Sequence, residues 1–148
     1  MTLNYLIMRY LGIDYGRKRI GVALGEDGMV KPLLVFLNDD KVIEKIRNLC
    51  EQEEVDGVVI GVVDNFRGEI SKFTQKLKEI INLPVIFQDE TLTTKEGVDK
   101  MIKSGTNRKA RRERIDAIAA AEILESYFKK VNVKCKKTLL NCYIVTLL

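Results

Sequence analysis

The sequence has no histidine. That absence removes Ser-His-Asp and Cys-His nucleophile systems, together with any zinc site built on imidazole. Cysteine is scarce: Cys50, Cys135 and Cys142 are odd in number and form no CxxC pair. They fit reduced thiols in a cytosol better than a disulfide framework. A thiol nucleophile would lack its imidazole partner. No apolar run approaches the roughly 20 residues a helix needs to span a bilayer. The apolar stretch Thr138 to Leu148 is about half as long, and Met1 to Met8 lacks the basic region and apolar core of a signal peptide. No membrane role follows, and a cytoplasmic protein is expected. Internal repeats and low-complexity segments are also missing.

What is present suits a folded domain. Hydrophobic residues make up 46% and charged residues 31% of 148 residues, enough for one domain over 1–148 with a real core. The core is expected at about 8–128, and 129–148 is first basic and then apolar. That tail would serve as an added strand, a packing tail or a self-association segment. The net charge of +4 is modest, but the excess is gathered into Arg17-Lys18-Arg19, Arg108 to Arg114, and Lys129 to Lys137. Such clusters suit a polyanion such as nucleic acid, the alternative being solvated surface charge.

Periodicity predicts strands over Tyr10–Asp14, Ile20–Leu24 and Val30–Leu37, the last interrupted early by Pro32. Tyr15 to Lys18 and Gly25 to Gly28 read as turns, so these strands form an antiparallel meander. Asp39 or Asp40 would cap a helix from Val42 to about Gln52, with Val42, Ile43, Ile46, Leu49 and Cys50 on one side. Gly57–Val62 has the unbroken apolar run of a strand covered on both faces. A helix over Ile70–Ile81 would turn Phe73, Leu77, Ile80 and Ile81 inward, and Pro84 opens a strand over Val85–Asp89. Thr94–Lys103 and Ile115–Phe128 read as helices, with Ser104 to Arg112 irregular between them. The order β-β-β-α-β-α-β-α-α with right-handed crossovers gives an α/β fold. Its mixed five-stranded sheet combines the meander with two parallel strands and carries helices on its faces.

Three carboxylates sit where a lone charge is costly. Asp14 ends one apolar run, Glu90 ends another beside Asp89, and Asp116 lies within the apolar stripe of the last predicted helix. Burying a carboxylate costs several kcal/mol unless it is paired or bound to a metal. Each has an ordinary reading: a turn-initiating Asp14, a turn or capping pair at Asp89-Glu90, an N-cap at Asp116. Small Ala119 and Ala120 would let the last helix approach the sheet closely. The first strand and the strand ending at Glu90 are expected to be central neighbours, bringing the acids together at the carboxyl ends of parallel strands. An oxygen-only set suits a hard cation, Mg²⁺ or Mn²⁺. Two such ions could activate water and stabilise the leaving oxygen of a phosphodiester. Arg17, Lys18, Arg19, Arg108, Lys109, Arg111 and Arg112 would flank the site and hold phosphates.

The segment Leu11-Gly12-Ile13-Asp14-Tyr15-Gly16-Arg17-Lys18-Arg19-Ile20-Gly21-Val22-Ala23 resembles the opening motif of the YqgF family. Asp89-Glu90-Thr91-Leu92-Thr93-Thr94 resembles its second motif. Gly105 to Arg112 followed by Arg114-Ile115-Asp116-Ala117-Ile118-Ala119-Ala120 resembles its third. The resemblance spans about Arg9 to Phe128. It implies an RNase H-like fold, metal-binding carboxylates at Asp14, Glu90 and Asp116, and nuclease activity on pre-16S ribosomal RNA or on Holliday junctions. Two positions depart from the family pattern: Gly61-Val62-Val63-Asp64 lacks the Gly-x-Pro proline, and Thr91 stands where arginine is usual. A ribosomal particle is a further implied partner, and junction cleavage would call for a homodimer. The competing classes are a non-catalytic RNA-binding module and a nucleotide-binding domain of the sugar-kinase, actin and Hsp70 type. The second needs two such domains, and this length supplies one.

Overall fold

The computed structural model describes residues 8–89 and 108–147, with side chains as far as 131. Strand β1 (Arg9–Tyr15) pairs antiparallel with β2 (Arg19–Glu26), and β2 with β3 (Met29–Leu37). The β2–β3 turn is the pair Asp27-Gly28, with φ of 50° and 78°. Positive φ at both positions is what a two-residue hairpin needs to match the strand twist. Pro32 does not interrupt β3. A register shift between Val22 and Ala23 absorbs it, and β3 is an edge strand where a missing N–H is tolerated.

Helix α1 (Val42–Gln52) leads to β4 (Gly57–Val62). A 3-10 turn (Asp64–Phe66) then opens α2 (Arg67–Ile80), which leads to β5 (Val85–Asp89). The sheet order is β3-β2-β1-β4-β5, with β4 parallel to both β1 and β5. The expected mixed five-stranded sheet is present, but β4 lies between β1 and the strand that runs up to Glu90. β5 is therefore an edge strand: the crossover through α1 carries the chain from β3 past β2 to the far side of β1, and the crossover through α2 places β5 beside β4.

Smaller differences have local causes. The cap of α1 is Lys41; Asp39 instead accepts the Lys41 N–H at 3.0 Å, within the turn. Ile80 is exposed, since Ile70, Phe73, Thr74, Leu77 and Ile81 already fill the inward stripe of α2. The last helix, α3 (Arg108–Leu147), is 40 residues long, about 60 Å at 1.5 Å per residue. It starts seven residues before the predicted Ile115. Arg108 to Arg114 contains only good helix formers, so the charge run that suggested an irregular segment is helical. The tail is not an added strand, because the helix continues through it. The helix predicted over Thr94–Lys103 lies outside the described residues.

Period-2 alternation divides the sheet. Leu11, Ile13, Ile20, Val22, Val58 and Ile60 face α1 and α2 in one core. Ala23 and Val59 face α3, where Ala120, Ile123 and Leu124 complete a second core. Burying Leu124 and Ile123 contributes about 1.5–3 kcal/mol each, which clamps α3 to the sheet.

Candidate metal and nucleic-acid site

The approach of α3 to the sheet is set by glycine. A Cβ at Gly12 would lie 2.8 Å from the carbonyl oxygen of Ala120, and one at Gly21 would lie 1.9 Å from that of Asp116. Side chains larger than hydrogen at these two positions would lift the helix. Ala119 and Ala120 contribute as expected, both buried. The strand glycines, however, complete the contact. Gly21-Val22-Ala23-Leu24-Gly25 alternates small and large residues, a signal that marks which face the helix covers.

The same contact brings two of the three predicted acids together. Asp14 pairs in register with Gly21, and the Asp116 backbone rests on Gly21. On β1, Tyr10 stacks edge-on against Tyr127 and Phe128, and Gly12 lies beneath Ala120. Period 2 therefore puts the Asp14 side chain on this same face. Asp116 is eight residues into α3, so it does not cap the helix. Asp14 lies within β1, which continues through Tyr15, so it does not initiate a turn. Both are half-buried. Glu90 lies outside the described residues.

Arg19 reaches the same place from the start of β2. Its Nε donates to Asp116 Oδ2 at 2.7 Å, with 34% and 23% of the two side chains exposed. Arg17 is held differently. Its Nε and Nη2 meet the Glu69 carboxylate at 3.0 and 2.9 Å, and its guanidinium lies 5.0 Å above the Phe66 ring. The Glu69 hydrogen bond and charge raise the pKa of Arg17 above its ordinary value. Lys18 is exposed. Asn38 ties down the turn that carries all three, donating its side-chain N–H to Gly16 O at 2.8 Å and its backbone N–H to Lys18 O at 2.9 Å. Arg108, Lys109 and Arg112 are exposed and Arg111 half-buried on the first turns of α3.

Three contributors were not foreseen. Asn38 is one. Arg67 is another, 2.8 Å from Asp64 and 3.7 Å from Asp89 at the end of β5. Gln88 is the third, buried in register with Gly61 and so level with Asp14, one strand beyond β4. Nothing in local sequence marks Asn38, whose partners are Gly16 and Lys18, or the reach of Arg67 to Asp89, although the Asp64–Arg67 spacing is that of a local helical ion pair. Gln88, a polar residue closing an apolar strand, was a visible anomaly.

The donor set fits a hard divalent cation. Asp14 and Asp116 are oxygen donors on one face, and Asp116 already holds a cation, the Arg19 guanidinium, as a stand-in. Among the described residues no three acidic, cysteine or histidine side chains cluster to complete a metal site.

A sheet of order 3-2-1-4-5 with three antiparallel and two parallel strands, packed between α1/α2 and a long helix, defines the RNase H-like class. Among solved structures, Thermus thermophilus RuvC in complex with a Holliday junction superposes with a TM-score of 0.54 at 13% identity, covering 83% of this chain and 96% of that one. The fowlpox virus Holliday junction resolvase superposes at 0.55 with 17% identity, covering 84% and 99%. The family model described as RuvX, Holliday junction resolvase, matches residues 8–130. A Clostridium acetobutylicum protein named as a candidate pre-16S rRNA nuclease is 35% identical, over 84% of this chain and all of that one. A Rickettsia typhi protein of the same name is 38% identical, over 78% and 81%. The chain belongs to the RuvX (YqgF) family.

Proposed function

We propose that this protein is a divalent-metal-dependent nuclease that hydrolyses phosphodiester bonds in structured nucleic acid, with pre-16S ribosomal RNA as the favoured substrate. One observation carries the reading. Two distant acids, on β1 and α3, are brought to one face at the carboxyl end of the parallel strands, and Asp116, the one on α3, is in contact with a cation. A binding module gains nothing from acids facing phosphates. The names of the Clostridium and Rickettsia relatives favour the RNA substrate.

In this reading Asp14, Asp116 and Glu90 hold Mg²⁺ or Mn²⁺. Bound there, the ion supplies Lewis-acid polarisation of a phosphoryl oxygen. The chain's own cations position the substrate. Lys18 and the first turns of α3, with Arg108, Lys109, Arg111 and Arg112, contact successive phosphates. Arg17, anchored on Glu69 and Phe66, presents a fixed charge beside the β1 end. The domain spans 1–148 and works in the cytoplasm, alone or with a ribosomal particle.

A second reading, cleavage of four-way DNA junctions, is favoured by the family description and requires a two-fold dimer. Cleavage of labelled precursor RNA and of a synthetic junction, each with Mn²⁺, tests both alongside the solution mass. RNA cleavage by a monomer supports the first. Junction cleavage by a dimer supports the second. Binding without cleavage of either substrate would return the protein to the non-catalytic class.

A further inference from the structure

Arg19 occupies an awkward place for a phosphate ligand. It lies on the α3 face of β2, two residues before Gly21, and its Nε is spent on Asp116 Oδ2 at 2.7 Å. The contrast with Arg17 is informative. Arg17 grips Glu69 through two nitrogens, whereas the Arg19 pair runs through Nε to a single carboxylate oxygen. A pair made through one nitrogen and one oxygen lacks the second bond of a bidentate grip, so a divalent ion on the same carboxylate has a single contact to displace.

It also cannot coexist comfortably with a dication. A guanidinium bonded to Asp116 puts a like charge against any divalent ion on the same carboxylate. In a half-buried site that repulsion is only partly screened. In the absence of the ion, the guanidinium instead offsets the repulsion between Asp14 and Asp116, two acids that folding forces onto one face. The two cations compete for one anion.

We propose that Arg19 is the site's built-in counter-ion. It holds Asp116 until a divalent cation displaces it, and the released guanidinium then contacts a substrate phosphate. This rests on the metal-site reading above and adds an order to it: the ion binds first, and the phosphate contact of Arg19 follows. Arg19 is a positioning residue without the ion and a phosphate ligand with it. Coupling of this kind is reciprocal, so nucleic acid that engages Arg19 also tightens the ion.

The test follows the arginine Nε–Hε signals of the ¹⁵N-labelled full chain by NMR during Mg²⁺ titration, with the Arg19 signal identified by its absence from Arg19→Lys. The expected result is a carboxylate-bound Arg19 signal that moves to the position of solvent-exposed arginines as Mg²⁺ saturates. In parallel, Arg19→Gln should bind Mn²⁺ about tenfold more tightly than wild type in calorimetry, within the range usual for coupled sites. An Arg19 signal that stays put while Mg²⁺ binds in an Asp14-dependent way overturns the displacement and leaves the metal reading intact. Weaker Mn²⁺ binding by Arg19→Gln does the same. If wild type binds Mn²⁺ no better than Asp14→Asn, the metal reading fails and this proposal with it.

Discussion

Gly21 lies directly beneath the backbone carbonyl of Asp116: a single added methyl group would stand 1.9 Å from that oxygen. No rotamer relieves such a clash, because both partners are backbone or its first side-chain atom. Gly21→Ala must therefore shift α3. Overpacking of this kind costs about 1–3 kcal/mol, and the shift also moves Asp116 relative to Asp14. Urea unfolding should show that loss, and Mn²⁺ affinity should fall with it. Gly68→Ala is the control. It sits in the first turn of α2 with open space around it, and should be neutral or stabilising by up to about 1 kcal/mol.

Asp14→Asn and Asp116→Asn should each reduce cleavage at least about a hundredfold, the scale of losing one preorganised electrostatic group in an active site. Their stabilities should differ in a way that reports the site. Asp116→Asn leaves the half-buried Arg19 with a neutral partner, which should cost on the order of 1 kcal/mol in the metal-free protein. Denaturation of both variants in chelator, beside cleavage assays in Mn²⁺, measures the two effects separately. Full cleavage by either variant would remove that residue from the site.

Nucleic-acid affinity should fall steeply with salt, and the steepness should depend on particular cations. Lys18, Arg108 and Arg112 are exposed. If each contacts one phosphate, replacing it with alanine should flatten the plot of log affinity against log salt by about 0.7–0.9. The loss should be similar across sequences, since phosphate contacts do not read bases. Fluorescence anisotropy at four or five salt concentrations gives the slopes. A variant with an unchanged slope identifies a residue off the nucleic-acid path.

How much of this was legible in sequence follows from range. The strands β4 and β5, the α1 span and the meander are encoded by local period and turn residues, and the observed elements follow those predictions closely. That Asp14 and Asp116 stand apart from their surroundings was legible for a different reason. A carboxylate inside an apolar pattern is an anomaly that local structure alone does not explain. The position of β4 between β1 and β5 was not legible, because no local signal orders parallel strands. The arginine partners were equally hidden: Arg19 is 97 residues from Asp116 and Arg17 is 52 from Glu69. Charge clusters advertise a basic surface without saying which members are already committed to an acid.

Alkaline pH should destabilise the protein through two weak acids, the buried Cys50 and the half-buried Tyr127, that stay protonated in the fold. Burial, then the charge of Glu51, pushes the Cys50 thiol from 9.0 up to about 11. Burial, then a hydrogen bond with Tyr10, pushes Tyr127 from 10.0 up to about 12. A raised pKa means the unfolded chain releases its proton first. Stability is therefore fully present below about pH 9 and is lost as pH rises toward 11 for the thiol and 12 for the phenol. For the buried thiol the loss is on the order of 2–3 kcal/mol. Cys50→Ala should remove that part of the decline, at the cost of a small cavity that lowers stability at every pH. Urea unfolding of both proteins at several pH values between about 8 and 11 compares the slopes across the window in which the thiol titrates. Parallel declines in wild type and Cys50→Ala would show that the thiol is not their source.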